Sequence, residues 1–197
     1  MKITLIVLAI LAALLIISQI YLTMASTETQ PYRIIKTEKD FEIRLYPSAT
    51  LATVSMDAKT YKELSSTGFK KLAGFIFGGN NASQNINMTT PVYMDINESQ
   101  SSMSFVMPAN FNKDNLPKPN DTSIIIKTTA EEYVAAVRFG GYANDADIKT
   151  NATKLESALK ADGIEYFGNF RFLGYNAPYQ FWGRRNEIIV SVRWNQK

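Results

Sequence analysis

Between residues 60 and 77 the apolar positions recur every three to four residues. Tyr61, Leu64, Gly68, Leu72 and Ile76 fall on one face of a helix, and this spacing predicts one. Gly78-Gly79 ends it, because glycine reaches the left-handed conformation at no steric cost. A polar loop (Asn80, Asn81, Ser83) leads to Ile86, Met88, Thr90 and Val92, whose alternation predicts a half-buried strand. Pro91 cannot donate to a ladder and belongs at an edge or a bulge. An irregular strand beside the end of an apolar helix can form a groove.

The same alternation marks the other elements. Phe41, Ile43 and Leu45 alternate with Glu42, Arg44 and Tyr46, so residues 41–46 read as a strand paired with 32–36. Residues 49–56 are rich in β-branched side chains and form a third strand, and 86–96 and 103–108 a further pair. The proline-bearing stretch 109–121 is a mid-domain seam. Beyond it the plan repeats: strands at 123–128 and 133–139, then Gly140-Gly141, then a helix capped by Asn144 or Asp145. Ile148, Ala152, Leu155 and Leu159 form that helix's apolar face and Gly163 follows its end. Residues 170–175 and 187–194 close the chain, interrupted by Pro178 as Pro91 interrupts the first half. Two α+β modules result, each with antiparallel strands and one helix.

Ahead of this plan, residues 3–24 carry no charge, enough to cross a hydrocarbon core about 30 Å thick. The segment 1–25 reads as an uncleaved signal-anchor or as a cleaved signal peptide, with Thr23-Met24-Ala25 a poor cleavage site. Lys2 before it and Glu28 after it orient the domain outward, giving a single-pass membrane protein whose domain is extracytoplasmic, periplasmic in a Gram-negative bacterium. Residues 26–31 form a linker and 32–197 a single folded domain.

Composition removes several chemistries. The chain of 197 residues has no cysteine and no histidine. There is therefore no disulfide frame, no thiolate nucleophile, no Ser-His-Asp triad, and no proximal imidazole for a haem. A net charge of +3, with 21 basic and 18 acidic residues interleaved, gives little electrostatic support for nucleic-acid binding. No spacing nominates a catalytic set or a metal site. Asp40 and Glu42 share a strand face without a pocket to act in, and the Asn-x-Ser/Thr sequons at Asn81, Asn87, Asn97, Asn120 and Asn151 arise readily in an Asn-rich chain.

Five segments in order carry a resemblance: DFEIRLYP at 40–47, GFKKLAGFIFGGN at 68–80, INMTTPV at 86–92, RFGGYA at 138–143 and GYNAPYQFWGRRNEIIVSV at 174–192. Together they resemble the SOUL haem-binding protein family. The resemblance implies two pseudo-symmetric β-α-β modules forming a distorted antiparallel barrel with two flanking helices. It implies binding of haem or a related planar tetrapyrrole, without enzymatic chemistry. With no histidine in the chain, the haem would lie in a hydrophobic slot without His ligation, or would take Met or Tyr as its ligand. The positions that the resemblance assigns to that slot are Thr67, Lys70, Lys71, Gly74 and Phe75 on the first helix, and Tyr179, Gln180, Phe181 and Trp182 on the C-terminal loop. The wider superfamily includes GyrI-like effector domains, which leaves a second reading: a pocket for another small amphiphile, favoured by Glu and aromatic walls. The tetrad Arg184-Arg185-Asn186-Glu187 reads either as a ligand contact or as a turn held by its own ion pairs. Met88 reads either as a soft ligand or as a core side chain.

Overall fold

The structure, a computed structural model, describes residues 2–24, 27–97 and 99–194. Helix α1 (Lys2–Met24) is followed by a two-residue strand β1 (Glu28–Thr29), then β2 (Arg33–Thr37), β3 (Glu42–Tyr46) and β4 (Thr50–Met56). Helix α2 (Tyr61–Ile76) leads to β5 (Thr89–Thr90), β6 (Val92–Asp95) and β7 (Ser101–Val106). The second half runs β8 (Ile124–Thr128), β9 (Glu132–Phe139), α3 (Asp145–Ala161), β10 (Tyr166–Gly174) and β11 (Asn186–Val192).

Helix α2 starts where Thr60, in extended conformation, accepts a hydrogen bond from the Glu63 amide, while the Glu63 carboxylate accepts from the Lys59 amide at 2.8 Å. It stops at two glycines with different duties. Gly78 has φ of +98°, and a Cβ on Gly79 would stand 2.5 Å from the Gly74 carbonyl oxygen. Leu64, Leu72 and Ile76 are buried together with Phe75, as the stripe requires. The cap of α3 is Asn144, which accepts from the Asp147 amide, and Leu155 and Leu159 are its buried residues.

Nine strands pair in the order β2-β3-β9-β11-β10-β6-β7-β4-β8, every neighbour antiparallel. Outward from the β6–β10 junction the order mirrors itself: β7, β4 and β8 on one side, β11, β9 and β3 on the other. Each half-sheet is thus completed by a strand from the other half of the sequence, so the two modules are not contiguous segments. Both helices lie on one face. Their leucines join Ile43, Val54, Met103, Ala135, Phe172 and Ile188 in the main core. The alternate residues of the same strands point to the opposite face, where Tyr46, Tyr93, Val134, Leu173 and Ile189 form a second cluster without helical members.

Three expectations are corrected here. The sheet is not a barrel. Strands β2 and β8 end it and do not meet each other; β2 is mostly exposed, and Lys36 and Lys127 sit on the two edge strands, a pattern that discourages further pairing. The strand expected over 86–96 is broken at Pro91. β5 leaves the main sheet to pair in parallel with β1, while β6 stays in it. Just after β1, Gln30 is buried and accepts a hydrogen bond from the Tyr93 hydroxyl at 2.6 Å.

The third correction concerns the membrane. Among the described residues no helix is long and apolar enough to cross one. The described side chains of α1, residues 4–8 and 10–18, are exposed. The transmembrane helix, the signal-anchor and the periplasmic placement that rested on it are not supported. Ala25 of the expected cleavage site lies outside the described residues.

Candidate functional site

The loop between β10 and β11 is built to hold its shape. Gly174 pairs with Asn186 at the end of the ladder, and the Arg185 amide donates to Asn176 Oδ1 at 2.6 Å. Above that base, Arg184 Nη1 donates to the carbonyls of Ala177 (2.7 Å) and Gln180 (2.9 Å), and Gln180 Nε2 donates to the Trp182 carbonyl at 3.1 Å. The Arg184 guanidinium stacks on the Tyr142 ring at 4.2 Å, and the Tyr142 hydroxyl donates to the Pro178 carbonyl. Asn186 Nδ2 ties the base to the Gly141 carbonyl at 2.8 Å. Gly183, at φ of +63°, makes the last turn.

With the polar groups of Gln180 and Arg184 turned inward, the large side chains are left outside. Tyr179 is 60% exposed, Phe181 53% and Trp182 57%. Large aromatics are rarely so open unless a partner covers them. Gln180, expected at the slot, is instead buried beneath the loop.

On α2 the expected positions separate. Thr67, Lys70 and Gly74 are exposed and share one face, three and four residues apart, and nothing lies within 4 Å of where a Cβ on Gly74 would be. Lys71 is half-buried and committed: its Nζ donates to Ser123 Oγ at 2.8 Å and to Asp121 at 3.3 Å. Hydrogen bonds from Ser123 hold the Asp121 carboxyl below the usual carboxylate range, and the bond and charge of Lys71 add to the effect. Phe75 is 1% exposed and belongs to the main core, so it offers no surface to a ligand. Met88 packs half-buried against that core. The loop and α2 approach through Tyr61: its amide donates to the Asp145 carboxylate at 2.6 Å, and the Arg184 charge acts on its phenol, whose titration burial pushes upward.

Beneath the loop, on the face away from the helices, lies an ion-pair network that periodicity alone does not reveal. Glu187 is wholly buried. It accepts from Arg44 Nη1 and Nη2 (2.7 and 3.2 Å), from Arg185 Nε (2.9 Å) and from the Tyr175 hydroxyl (2.9 Å). Arg44 stacks on Tyr32 and Arg185 on Tyr175. Burial opposes the Glu187 charge, but the hydrogen bonds and charges of Arg44 and Arg185 outweigh it and hold the carboxyl below its ordinary range. Burial raises the phenols of Tyr175 and Tyr93 strongly, so both stay neutral. The tetrad at 184–187 is therefore a structural turn: each of its side chains is spent on the loop or on the network. The Tyr46 hydroxyl is buried there without a hydrogen-bond partner among the described residues.

Two concavities lie elsewhere. One, of about 730 Å³, opens at the end of β9, β10 and β11 between Glu131, Tyr133, Glu165, Phe167 and Trp194. The other, of about 450 Å³, lies between the 28–31 segment and Val106, Met107 and Phe111. Neither contains an expected site residue. Among the described residues no cluster of acids suits a metal ion.

Comparison with known proteins agrees with the resemblance read from the five segments. A family model described as SOUL heme-binding protein matches residues 27–191. Heme-binding protein 1 of Xenopus laevis is 31% identical over 163 residues, covering 78% of this chain and 85% of that protein. Heme-binding protein 1 of Bos taurus is 31% identical over 175 residues, covering 83% and 91%. Heme-binding protein 2 of Homo sapiens is 29% identical over 156 residues, covering 75% and 76%. Among solved structures, the C-terminal domain of EcmrR superposes with a TM-score of 0.59 at 11% identity, over 83% of this chain and 99% of that one. A hydrolase from Listeria innocua superposes at 0.55 with 6% identity, over 81% and 94%. At such identities the two structures share the fold alone.

Proposed function

This chain belongs to the SOUL haem-binding protein family, a family of binding proteins and not an enzyme class, and from that premise we propose that it holds haem or a related planar tetrapyrrole against the aromatic loop, with no imidazole on the iron. The observation that carries this reading is the loop itself: three aromatics more than half exposed, on a backbone pinned by Arg184 and Gln180. A chain without histidine or cysteine offers neither an imidazole nor a thiolate axial ligand. The affinity then comes from apolar area.

The arithmetic asks for a second wall. Covering about 100 Å² on each of the three rings at about 25 cal/mol per Å² contributes about 7 kcal/mol. Association costs at least about 4 kcal/mol, so the loop alone holds a ligand only weakly. We assign the second wall to the outer stripe of α2, Thr67, Lys70 and Gly74. Gly74 lets a flat ring approach the backbone there, and Lys70 offers a cation to an acidic edge. Lys71 and Phe75 take no part in this version of the slot, one being paired and the other sealed. Bound haem supplies iron and an extended π-face; the protein's part is to bind it and cover its face, and no reaction on the ligand is assigned.

Titration of the purified protein with haem and with metal-free protoporphyrin, followed by absorbance and fluorescence, tests the reading. Both should bind at one site with affinities within an order of magnitude of each other, since the metal contributes little. Binding of neither above an unrelated control protein contradicts it, as does a preference for haem of about a hundredfold or more, which would require an axial ligand.

A second reading is favoured by the cavity of about 730 Å³, where Glu131, Glu132 and Glu165 stand with Tyr133, Phe167 and Trp194. Carboxylates and aromatic walls suit a cationic amphiphile better than an anionic porphyrin. Thermal-shift screening with such cations distinguishes the two, because a ligand that binds only the native state raises its apparent stability.

A further inference from the structure

The cavity of about 450 Å³ beside the 28–31 segment shares no residue with the aromatic loop. Its buried lining is Gln30, Thr50, Thr89, Val106, Met107 and Pro108, and none of these carries a charge. Its charged lining residues, Glu28, Lys113 and Asp114, are exposed and stand at the rim. The polar groups of the floor differ in what they are committed to. Thr89 is spent, because its hydroxyl donates to the Val106 carbonyl. Gln30 is 7% exposed and fixed at both ends: its backbone amide donates to the Thr90 carbonyl at 2.8 Å, and its Oε1 accepts from the Tyr93 hydroxyl. Its Nε2 makes no hydrogen bond among the described residues. Turning the amide over exchanges Oε1 and Nε2 and still leaves one of them unpaired. Thr50 is 9% exposed. Its carbonyl accepts from the Met107 amide at 2.8 Å, but its hydroxyl has no partner among the described residues.

Buried polar groups are nearly always satisfied, so two unpaired ones in one apolar hollow call for a polar partner that the chain does not supply. The volume falls within the about 300–1,000 Å³ of small-molecule sites, which pair apolar walls with a few polar groups in the same way. The floor also says which head it takes. An ion brought against uncharged side chains is left unpaired, and that is costly; an uncharged carbonyl or amide is not. We infer that this cavity is a second binding site, for an uncharged amphiphile. The ligand's carbonyl accepts from Gln30 Nε2 and from the Thr50 hydroxyl, and its alkyl or aryl body lies against Val106, Met107 and Phe111.

Octanamide, an uncharged amide on an alkyl chain, is the probe, with octanoate and octylammonium as its charged counterparts. Each is titrated into the full chain and followed by calorimetry and by NMR of the Gln30 side-chain amide. The wild type should bind octanamide saturably with a shift of the Gln30 signals, and about tenfold or more tightly than either ion. Thr50→Val keeps the shape, removes the hydroxyl and should weaken octanamide about fivefold. Phe181→Ala/Trp182→Ala should bind octanamide as the wild type does. Failure of octanamide to bind overturns the inference, as does a preference for either ion or undiminished binding by Thr50→Val. Binding that leaves the Gln30 signals unmoved, or that is lost in the loop double variant, overturns it too. Should Thr50→Val fail to fold, the Gln30 signals and the ranking of the three probes still decide. Each of these failures leaves the proposed function standing, and failure of haem to bind leaves this site standing.

Discussion

Glu187 and Trp182 lie five residues apart and answer to opposite rules. Glu187 is 0% exposed and is held between two guanidinium groups. Glu187→Gln leaves both charges buried beside a neutral amide and should cost about 3–5 kcal/mol of stability in urea unfolding. A loss under about 1 kcal/mol would show that the network is dispensable. The same group gives a pH dependence. Its folded carboxyl titrates below the ordinary value of 4.5, so its contribution is complete above that pH and disappears as pH falls through the lower folded value. The wild type should therefore lose stability faster than Glu187→Gln below about pH 4.5. Trp182 is 57% exposed, so Trp182→Ala should leave the melting temperature within about 2 °C while weakening haem about tenfold or more. The sequence named Trp182 and Phe181 through the resemblance. It could not tell that Phe75 turns inward, because on α2 one residue of rotation separates the buried stripe from the exposed one.

At the scale of elements, the end of α2 and the first strand make the sharpest demands. A Cβ on Gly79 meets the Gly74 carbonyl at 2.5 Å, and backbone cannot swing aside as a side chain can. Gly79→Ala should cost about 1–3 kcal/mol in chemical denaturation; a neutral result would mean that the turn reforms elsewhere. The helices and most strands were legible because period and caps are local properties. The role of β1 was not, because its pairing with β5 and the contact of Gln30 with Tyr93 depend on chain some sixty residues away, and Tyr32 meets Arg185 near the far end of the chain. Those contacts make the segment 27–32 a strap, with Tyr32 on Arg44 and its hydroxyl receiving a hydrogen bond from Arg185 at 3.0 Å. A chain starting at Thr27 should melt like the full protein, and one starting at Arg33 should be less stable by about 2–4 kcal/mol. Equal stability of the two would show that the strap is incidental.

Across the whole molecule, the repeat of strands and helix was visible, but its assembly was not. Alternation shows that Ile43 and Arg44 face opposite ways; it does not show that β3 joins β9 while β8 joins β4. That exchange interlocks the two halves and leaves two charged edges in place of a closed barrel. The sheet positions the site by bringing Gly141, at the end of β9, beside the base of the β10–β11 loop. The account stands or falls on that loop as the ligand's seat. Its most direct test is a haem titration of the full chain beside Phe181→Ala/Trp182→Ala, with melting curves for both. The account predicts saturable binding by the wild type and at least about tenfold weaker binding by an equally stable double variant. Undiminished binding by that variant would contradict it.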